Sequence, residues 1–427
     1  MESTTRRGRY DIIQNIAIVV LSLSAVLLFA QSQIYNLISD QGTLSDQLIG
    51  ISTGTSPSSE TVLTAPVRVA VTGAYDRYGA YLTTDAEAFS DLGLLLKEAL
   101  GSAGTLSACR EIDFLSGLKS VSVYYDFLSP LPLSVLAELV GGSADDSFDS
   151  ITVRQIVLSA ATGDVRLYVW DGEDNYRFCQ VPPLTASDLT EAVNSCSFGV
   201  ASFALDEVEL DPAYSHIAPL SLLLAELPAL PVLSASNPLV DTDEILIALG
   251  FNPSTKNRYS DSSGTEIIRE TNRSLQIRNS GTVVYESGDE PIIKIAAEGD
   301  LPTLLEAVDG SSALLWTLLG DLSGEAALYL QSVSQTGETT VLHFGYHVNG
   351  VPVCFSDGGT AAEITLTGTT VTELSLRFRQ YTTSGEDSLL LPLQQALAIA
   401  ADEYAGKELS IGYADGGTDV SAQWLAE

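Results

Sequence analysis

Positive charge is scarce in this chain. Its 427 residues carry 20 lysines and arginines against 55 aspartates and glutamates, a formal net charge of −35. Such a surface repels nucleic acid and anionic membrane faces, which argues against DNA or RNA as a partner. Histidine is also rare: only His216, His343 and His347 occur. The last two have the spacing of a helical metal pair. Residues 341–348 alternate as a strand, however, and that sets the two imidazoles about 13 Å apart, too far for one ion. There is no His-Glu-x-x-His, no Gly-x-Ser-x-Gly and no glycine-rich phosphate loop before a helix. Asp171-Gly-Glu-Asp-Asn175 offers oxygens, but not at calcium-loop spacing, and reads as a hairpin turn. Carboxylates are so common that no pair stands out as a general acid and base. These gaps lead to an expectation of no catalytic site, no metal and no cofactor.

Cysteine is limited to Cys109, Cys179, Cys196 and Cys354. Their spacing is neither that of a stapled mini-domain nor that of a zinc site. Cys179 and Cys196 could pair if the strand ending at Phe178 packs beside a helix ending near Ser195. Free buried thiols are the other reading.

One stretch lacks charge of either sign. From Ile12 to Ser39 there is no Asp, Glu, Lys or Arg, and Arg6, Arg7 and Arg9 precede it. About 20 apolar residues span a bilayer as a helix, the one form that satisfies its own backbone in lipid. The expectation is a cytoplasmic N-terminus over 1–10, a transmembrane anchor over 11–31, and a body outside the cytoplasm, because positive flanks stay inside. Ala30-Gln-Ser32 loosely fits a cleavage site, but the run is long for a signal peptide. Asn15 and Ser22 lie near one face of this helix and are the candidate partner contacts within the membrane.

A Ser-, Thr- and Gly-rich linker over 32–65 follows. The body then divides into an N-terminal α+β domain (66–212), a central segment with a hairpin (213–298) and a C-terminal α+β domain (299–427). Alternation marks strands at 67–71, 119–127, 152–158, 164–170 and 176–179. Helical spacing marks 86–100, and Thr185 with Asp188 three residues on reads as a helix cap. The apolar run 214–238 is broken by Glu226, Pro228 and Pro231, so it reads as buried strands or a connection, not a second span. A short helix covers 241–249 and ends at Gly250. Residues 274–278 and 282–285 flank the turn Asn279-Ser-Gly281. Later come one or two helices after Leu301, with Pro302 in the first turn. Strands follow at 326–331, 339–348, 361–367 and 370–381, a helix at 389–404, and strands at 409–413 and 420–425. Helices and strands do not alternate strictly, so mainly antiparallel sheets are expected.

Phe344-Gly-Tyr-His-Val-Asn-Gly-Val-Pro-Val353 resembles the strand-turn-strand motif of the YycH and YycI proteins. Leu249-Gly-Phe-Asn-Pro253, Arg258-Tyr, Gly264-Thr, Arg273-Ser-Leu-Gln-Ile277, Leu409-Ser-Ile-Gly-Tyr413 and Trp424 are similar to other parts of the same family. The resemblance implies a bitopic membrane protein that works with a YycI-like protein on a sensor histidine kinase of the WalK type. It would modulate output to the WalR response regulator in cell-wall homeostasis of Gram-positive bacteria. It implies no catalytic residues. The Asn-Gly-x-Pro turn also resembles PepSY modules, which would make the chain an envelope-binding or protease-inhibiting protein.

Overall fold

The computed structural model describes residues 68–426 apart from 76, 82–86, 141–147, 161–162, 239–241, 271–272, 289–291 and 404. The anchor expected over 11–31, with Asn15 and Ser22, lies outside the described residues, as does the linker. No helix among the described residues is long and apolar enough to cross a membrane.

The fold is mixed α+β with mostly antiparallel sheets. The first unit is a seven-stranded sheet built from β1 (Arg68–Gly73), β2 (Arg77–Tyr81), β3 (Ser107–Ala108), β4 (Ser122–Pro132), β5 (Thr152–Ser159), β6 (Asp164–Trp170) and β7 (Tyr176–Thr185). Their order is β2-β1-β4-β5-β6-β7-β3, antiparallel throughout. Both faces are covered, and the residues buried on each side form two separate apolar clusters. Helix α1 (Glu87–Ser102) covers one face, burying Leu92, Leu96 and Leu100 with Val71, Val123, Tyr125 and Leu158. Helix α2 (Glu111–Leu118) covers the other, where Phe114 and Leu118 meet Tyr124, Val157 and Tyr168. Helix α3 (Leu133–Leu139) follows β4 directly. Helix α4 (Ala186–Asn194) starts at the Thr185 cap, whose hydroxyl accepts from Asp188 N while the Asp188 carboxylate accepts from Thr185 N.

A small bridge of β8 (Ala201–Phe203) and β9 (Leu222–Leu224), with α5 (Ala204–Glu207) between them, leads to the second unit. That unit holds β10 (Pro231–Ser236), α6 (Asp243–Ala248), β11 (Arg258–Ser260), β12 (Glu266–Glu270), β13 (Arg273–Ile277), β14 (Thr282–Ser287) and α7 (Leu304–Leu319). It continues with β15 (Ala326–Thr336), β16 (Thr339–Val348), β17 (Val351–Phe355), β18 (Ala362–Thr367), β19 (Thr370–Arg377) and β20 (Gln380–Asp387). Helix α8 (Leu393–Glu403), β21 (Leu409–Asp415) and β22 (Asp419–Ala426) complete it. Thirteen strands form one sheet in the order β11-β12-β13-β14-β19-β18-β16-β17-β21-β22-β10-β20, with β15 on β16. Strands β10 to β14 of the segment 213–298 lie in the same sheet as the strands after residue 299, whereas β9 pairs with β8. β17 and β21 are parallel; the other neighbouring strands of this sheet run antiparallel. The path also turns back on itself. Glu325 N, just before β15, donates to Tyr381 O in β20 at 2.9 Å. Strands β15, β16, β17, β21, β22, β10 and β20 thus come round into a ring.

Local differences from the sequence reading have physical causes. Pro302 is not in the first turn of α7: Thr303 is the N-cap, with Glu306 completing a capping box, so the proline precedes the cap. Helix α8 begins after Pro392, not at Leu389. The strand expected over 370–381 is two strands, because Arg379 turns out of the ladder to reach Asp415. The Asn349-Gly350 turn has positive φ at both residues, 50° and 79°, as a tight hairpin turn requires.

One hydrophobic core runs through both units, from Val69 to Ala422. β15 lies against β4, and α7 against α3.

Candidate functional site

Four charged side chains meet where the two units join. Arg68 is the first residue of β1 and Asp126 lies opposite it in β4. Arg154 comes from β5. Glu408 directly precedes β21, in the second unit. Arg68 Nη2 donates to both carboxylates, Asp126 Oδ2 and Glu408 Oε1. Arg154 Nη2 donates to Glu408 Oε2, and Arg154 Nε reaches Asp126 Oδ1 at 3.3 Å. Asp126 is fully buried, and Arg68 and Glu408 are each 6 % exposed.

The backbone around Asp126 is shaped to hold it. The register between β4 and β5 shifts between Asp126 and Leu131. In that bulge Leu128 adopts φ 65°, a left-handed conformation that a leucine seldom takes. Its N–H donates to Asp126 Oδ1 at 2.9 Å. A strained residue is thus spent on orienting one carboxylate.

The electrostatics of the two acids differ. Burial works against ionisation of Asp126, but Arg68, Arg154 and the Leu128 N–H outweigh it and hold the carboxyl below its ordinary value. For Glu408 burial wins: with the charge of Asp126 beside it, the carboxyl is pushed up to about 7 despite both arginines. With both acids ionised the cluster is neutral; with Glu408 protonated it carries one positive charge. Tyr124 flanks it with a buried hydroxyl that has no hydrogen-bond partner. Burial first, then Asp126 and Glu408, raise that phenol well above its usual range. Gln155, paired with Asp126 across the ladder, has a buried Oε1 likewise without a partner.

Glu408 is tied to its own surroundings by its neighbours. Lys407 O accepts from Ala218 N at 2.8 Å, and Leu409 N donates to Ser221 Oγ at 3.0 Å. Leu409 packs with Ala204, Ile217, Leu223, Ala396 and Leu397 in a small separate cluster. The cluster of charges is therefore one step from α8.

Two other polar centres serve the second unit alone. Arg379 grips Asp415 in two-pronged fashion, at 2.7 and 2.6 Å, and the Tyr381 hydroxyl donates to the same carboxylate at 2.8 Å. The second centre holds the histidines of β16. They lie in a strand, as their spacing in the sequence suggests. His343 Nδ1 is 2.9 Å from Ser332 Oγ, and its Nε2 is 3.8 Å from Glu363. Ser332, His343 and Glu363 form one cross-strand row on a half-exposed sheet face. His347 is buried: Gly350 N donates to its Nδ1 at 3.1 Å, and burial pushes the imidazole down to about 4. Among the described residues no group of three or more His, Cys, Asp or Glu is placed to hold a metal. Cys109, Cys179, Cys196 and Cys354 form no disulfide with one another. β7 and α4 do pack together, but Cys196 Sγ donates to Ala192 O at 3.4 Å, and both Cys179 and Cys196 sit in the main core.

The charged cluster escapes sequence reading because its four members come from four separated segments. A signal was present: Asp126 stands in Tyr124-Tyr-Asp-Phe127, a strand otherwise made of residues that seek the interior. Comparison with protein-family models, curated proteins and solved structures finds no match to this chain.

Proposed function

We propose that this chain is a membrane-anchored regulator that acts from outside the cytoplasm on a sensor histidine kinase of the WalK type, alongside a YycI-like membrane protein. It works by contact, not catalysis. A kinase that signals across a membrane shifts between discrete arrangements, and a partner biases them only through differential contacts. An anchored partner meets the kinase at high effective concentration, so each contact can be weak.

The observation that carries this reading is the charge asymmetry of the N-terminus: Arg6, Arg7 and Arg9 before an uncharged run, and an acidic body after it. The two-unit body joined by a buried ionic cluster supports it, because a regulator needs an element with two arrangements. The hairpin turn at Asn349-Gly350 also suits the second reading, a PepSY-like envelope-binding or protease-inhibiting module.

The test is co-purification from membranes with a sensor kinase, joined to a reporter of that kinase's output. Replacing residues 12–31 by an unrelated apolar helix, or Asn15 and Ser22 by leucine, should weaken the effect. No kinase in the eluate and no change of output on deleting the protein would sink the regulator reading.

A further inference from the structure

We propose that Ser332 is an acyl-acceptor site: His343 activates its hydroxyl, and Glu363 holds the imidazole in the form that can do so. The inference does not depend on the regulator reading.

The placement of Ser332 is the first argument. Side chains alternate between the two faces of a regular strand. Leu330 and Val333 of β15 nevertheless both lie in the main core, opposite Phe344 and Leu342. They share a face because the ladder between β15 and β16 slips by one residue, with Gln331 as the additional one. The bulge sets Ser332 on the outer face, directly opposite His343. Without it Ser332 would share the face of Leu330 and stand opposite Leu342.

The second argument is the order of the three groups. Ser332 Oγ lies 2.9 Å from His343 Nδ1. On the other side of the ring, Glu363 Oε2 lies 3.8 Å from Nε2. That is beyond hydrogen-bond length, but a carboxylate so near favours an N–H at Nε2 over a lone pair. The proton is then on Nε2, and Nδ1 is left to accept from the serine hydroxyl. A nucleophile, a base and a carboxylate that sets the tautomer of the base thus follow one another across β15, β16 and β18. His347 gives the contrast on the same strand. Its Nδ1 already accepts from Gly350 N, and the ring is buried.

The third argument is access. The His343 and Glu363 side chains are 34 % and 50 % exposed, and Ser332 is half-buried. The row is open to a small electrophile from solution.

The donor is an activated ester. Ser332 Oγ bonds to the carbonyl carbon while its proton passes to His343 Nδ1. The bond from that carbon to the leaving oxygen then breaks, and the leaving oxygen takes the proton from Nδ1. The products are an O-acyl serine and an alcohol, with the imidazole neutral again. Nothing is oxidised or reduced. A base placed in this way accelerates such a step by about 10²–10⁴-fold.

The experiment exposes the full chain in phospholipid nanodiscs to p-nitrophenyl acetate and maps the acetylated residues by peptide mass spectrometry. Ser334, exposed on the same strand, is the internal control. In the native chain Ser332 should be acetylated at least tenfold faster than Ser334. Equal or slower reaction at Ser332 would overturn the proposal, and this comparison needs no variant. His343→Gln should lower the Ser332 rate roughly a hundredfold and leave Ser334 unchanged. An unchanged Ser332 rate would remove His343 as the base and overturn the proposal. Glu363 acts through the imidazole as a positioning residue, so its readout is the tautomer. With nitrogen-labelled histidine, the chemical shifts of His343 should show the proton on Nε2 in the native chain. Glu363→Gln should return the ring toward a mixture of tautomers and slow acetylation of Ser332 by about tenfold. A native ring protonated on Nδ1, or a tautomer indifferent to Glu363→Gln, would overturn the part given to the carboxylate.

Discussion

Arg68 and Glu408, 340 positions apart in the chain, share a hydrogen bond that joins the first strand of one unit to the last strand pair of the other. Each is nearly sealed from water, so the link is strong only while the whole set of four charges is complete.

Removing one member should show this. Glu408→Ala leaves two guanidiniums with Asp126 as their sole acid in the cluster, and should destabilise the protein by about 3–5 kcal/mol. Arg68→Met combined with Glu408→Leu should cost clearly less than the sum of the two single changes, because the pair is removed together. Urea unfolding of the four species in a double-mutant cycle measures it. Additivity within about 0.5 kcal/mol would mean that the two side chains do not depend on each other.

Acidity acts on this junction and on His347 in opposite senses. Glu408 lies at about 7 when folded against 4.5 when free. Its contribution is fully present below pH 4.5 and is lost as pH rises through about 7. The groups that face it are Arg68, Arg154, Asp126 and Tyr124. His347 lies at about 4 when folded against 6.5 when free. Its contribution is present above 6.5 and is lost as pH falls through about 4. Between pH 4.5 and 6.5 the two slopes oppose each other, each about 1.4 kcal/mol per unit. Thermal melts should therefore show Glu408→Gln losing stability on acidification from 6.5 to 5. His347→Gln should gain stability over the same interval. Parallel curves for native protein and both variants would contradict these assignments.

Asp415 should matter to the second unit alone. It is 5 % exposed and takes two hydrogen bonds from Arg379 and one from Tyr381. Asp415→Ala removes the acceptor of the Tyr381 hydroxyl and leaves the Arg379 guanidinium, still bonded to Gly417 O, without its counter-charge, and should cost about 3 kcal/mol. Tyr381→Phe removes one hydrogen bond and should cost about 1 kcal/mol. Urea midpoints at constant slope read both. Exchange over 122–126 should remain unchanged in each variant.

Thr303→Ala tests the start of α7. Its hydroxyl and the Glu306 carboxylate satisfy each other's backbone donors. Loss of such a cap costs about 1 kcal/mol, and the change in the urea midpoint measures it. Thr303→Ser should retain most of the stability.

Local chemistry was readable from the sequence wherever it decides the structure by itself. Asn279-Ser-Gly281 makes its hairpin, Asp171 accepts from the N–H groups of Glu173 and Asn175 across its turn, and Thr185 caps its helix. What stayed hidden depends on partners far away. β2 contains Gly79, whose missing side chain makes room for Ser197 O, a contact that no periodicity announces. The break at Arg379 follows from an aspartate 36 positions later. The charged cluster is the extreme case. Arg154 alone reads as a polar strand residue, and only its place opposite Asp126 and Glu408 gives it a part in the junction.

The ring of strands has a consequence for how the chain comes into being. β10 is complete at Ser236, yet its two neighbours are β20 and β22, which begin at Gln380 and Asp419. A chain made from its N-terminus therefore carries β10 unpaired until β20 is complete at Asp387, about 150 residues later, and with one side open until β22 follows. The first unit can fold early on its own ladder, but the second cannot close before its last residues arrive. Quality control by chaperones thus has a long window on this protein. A premature stop after α8 yields a product with an open, sticky edge rather than a shortened version of the same body.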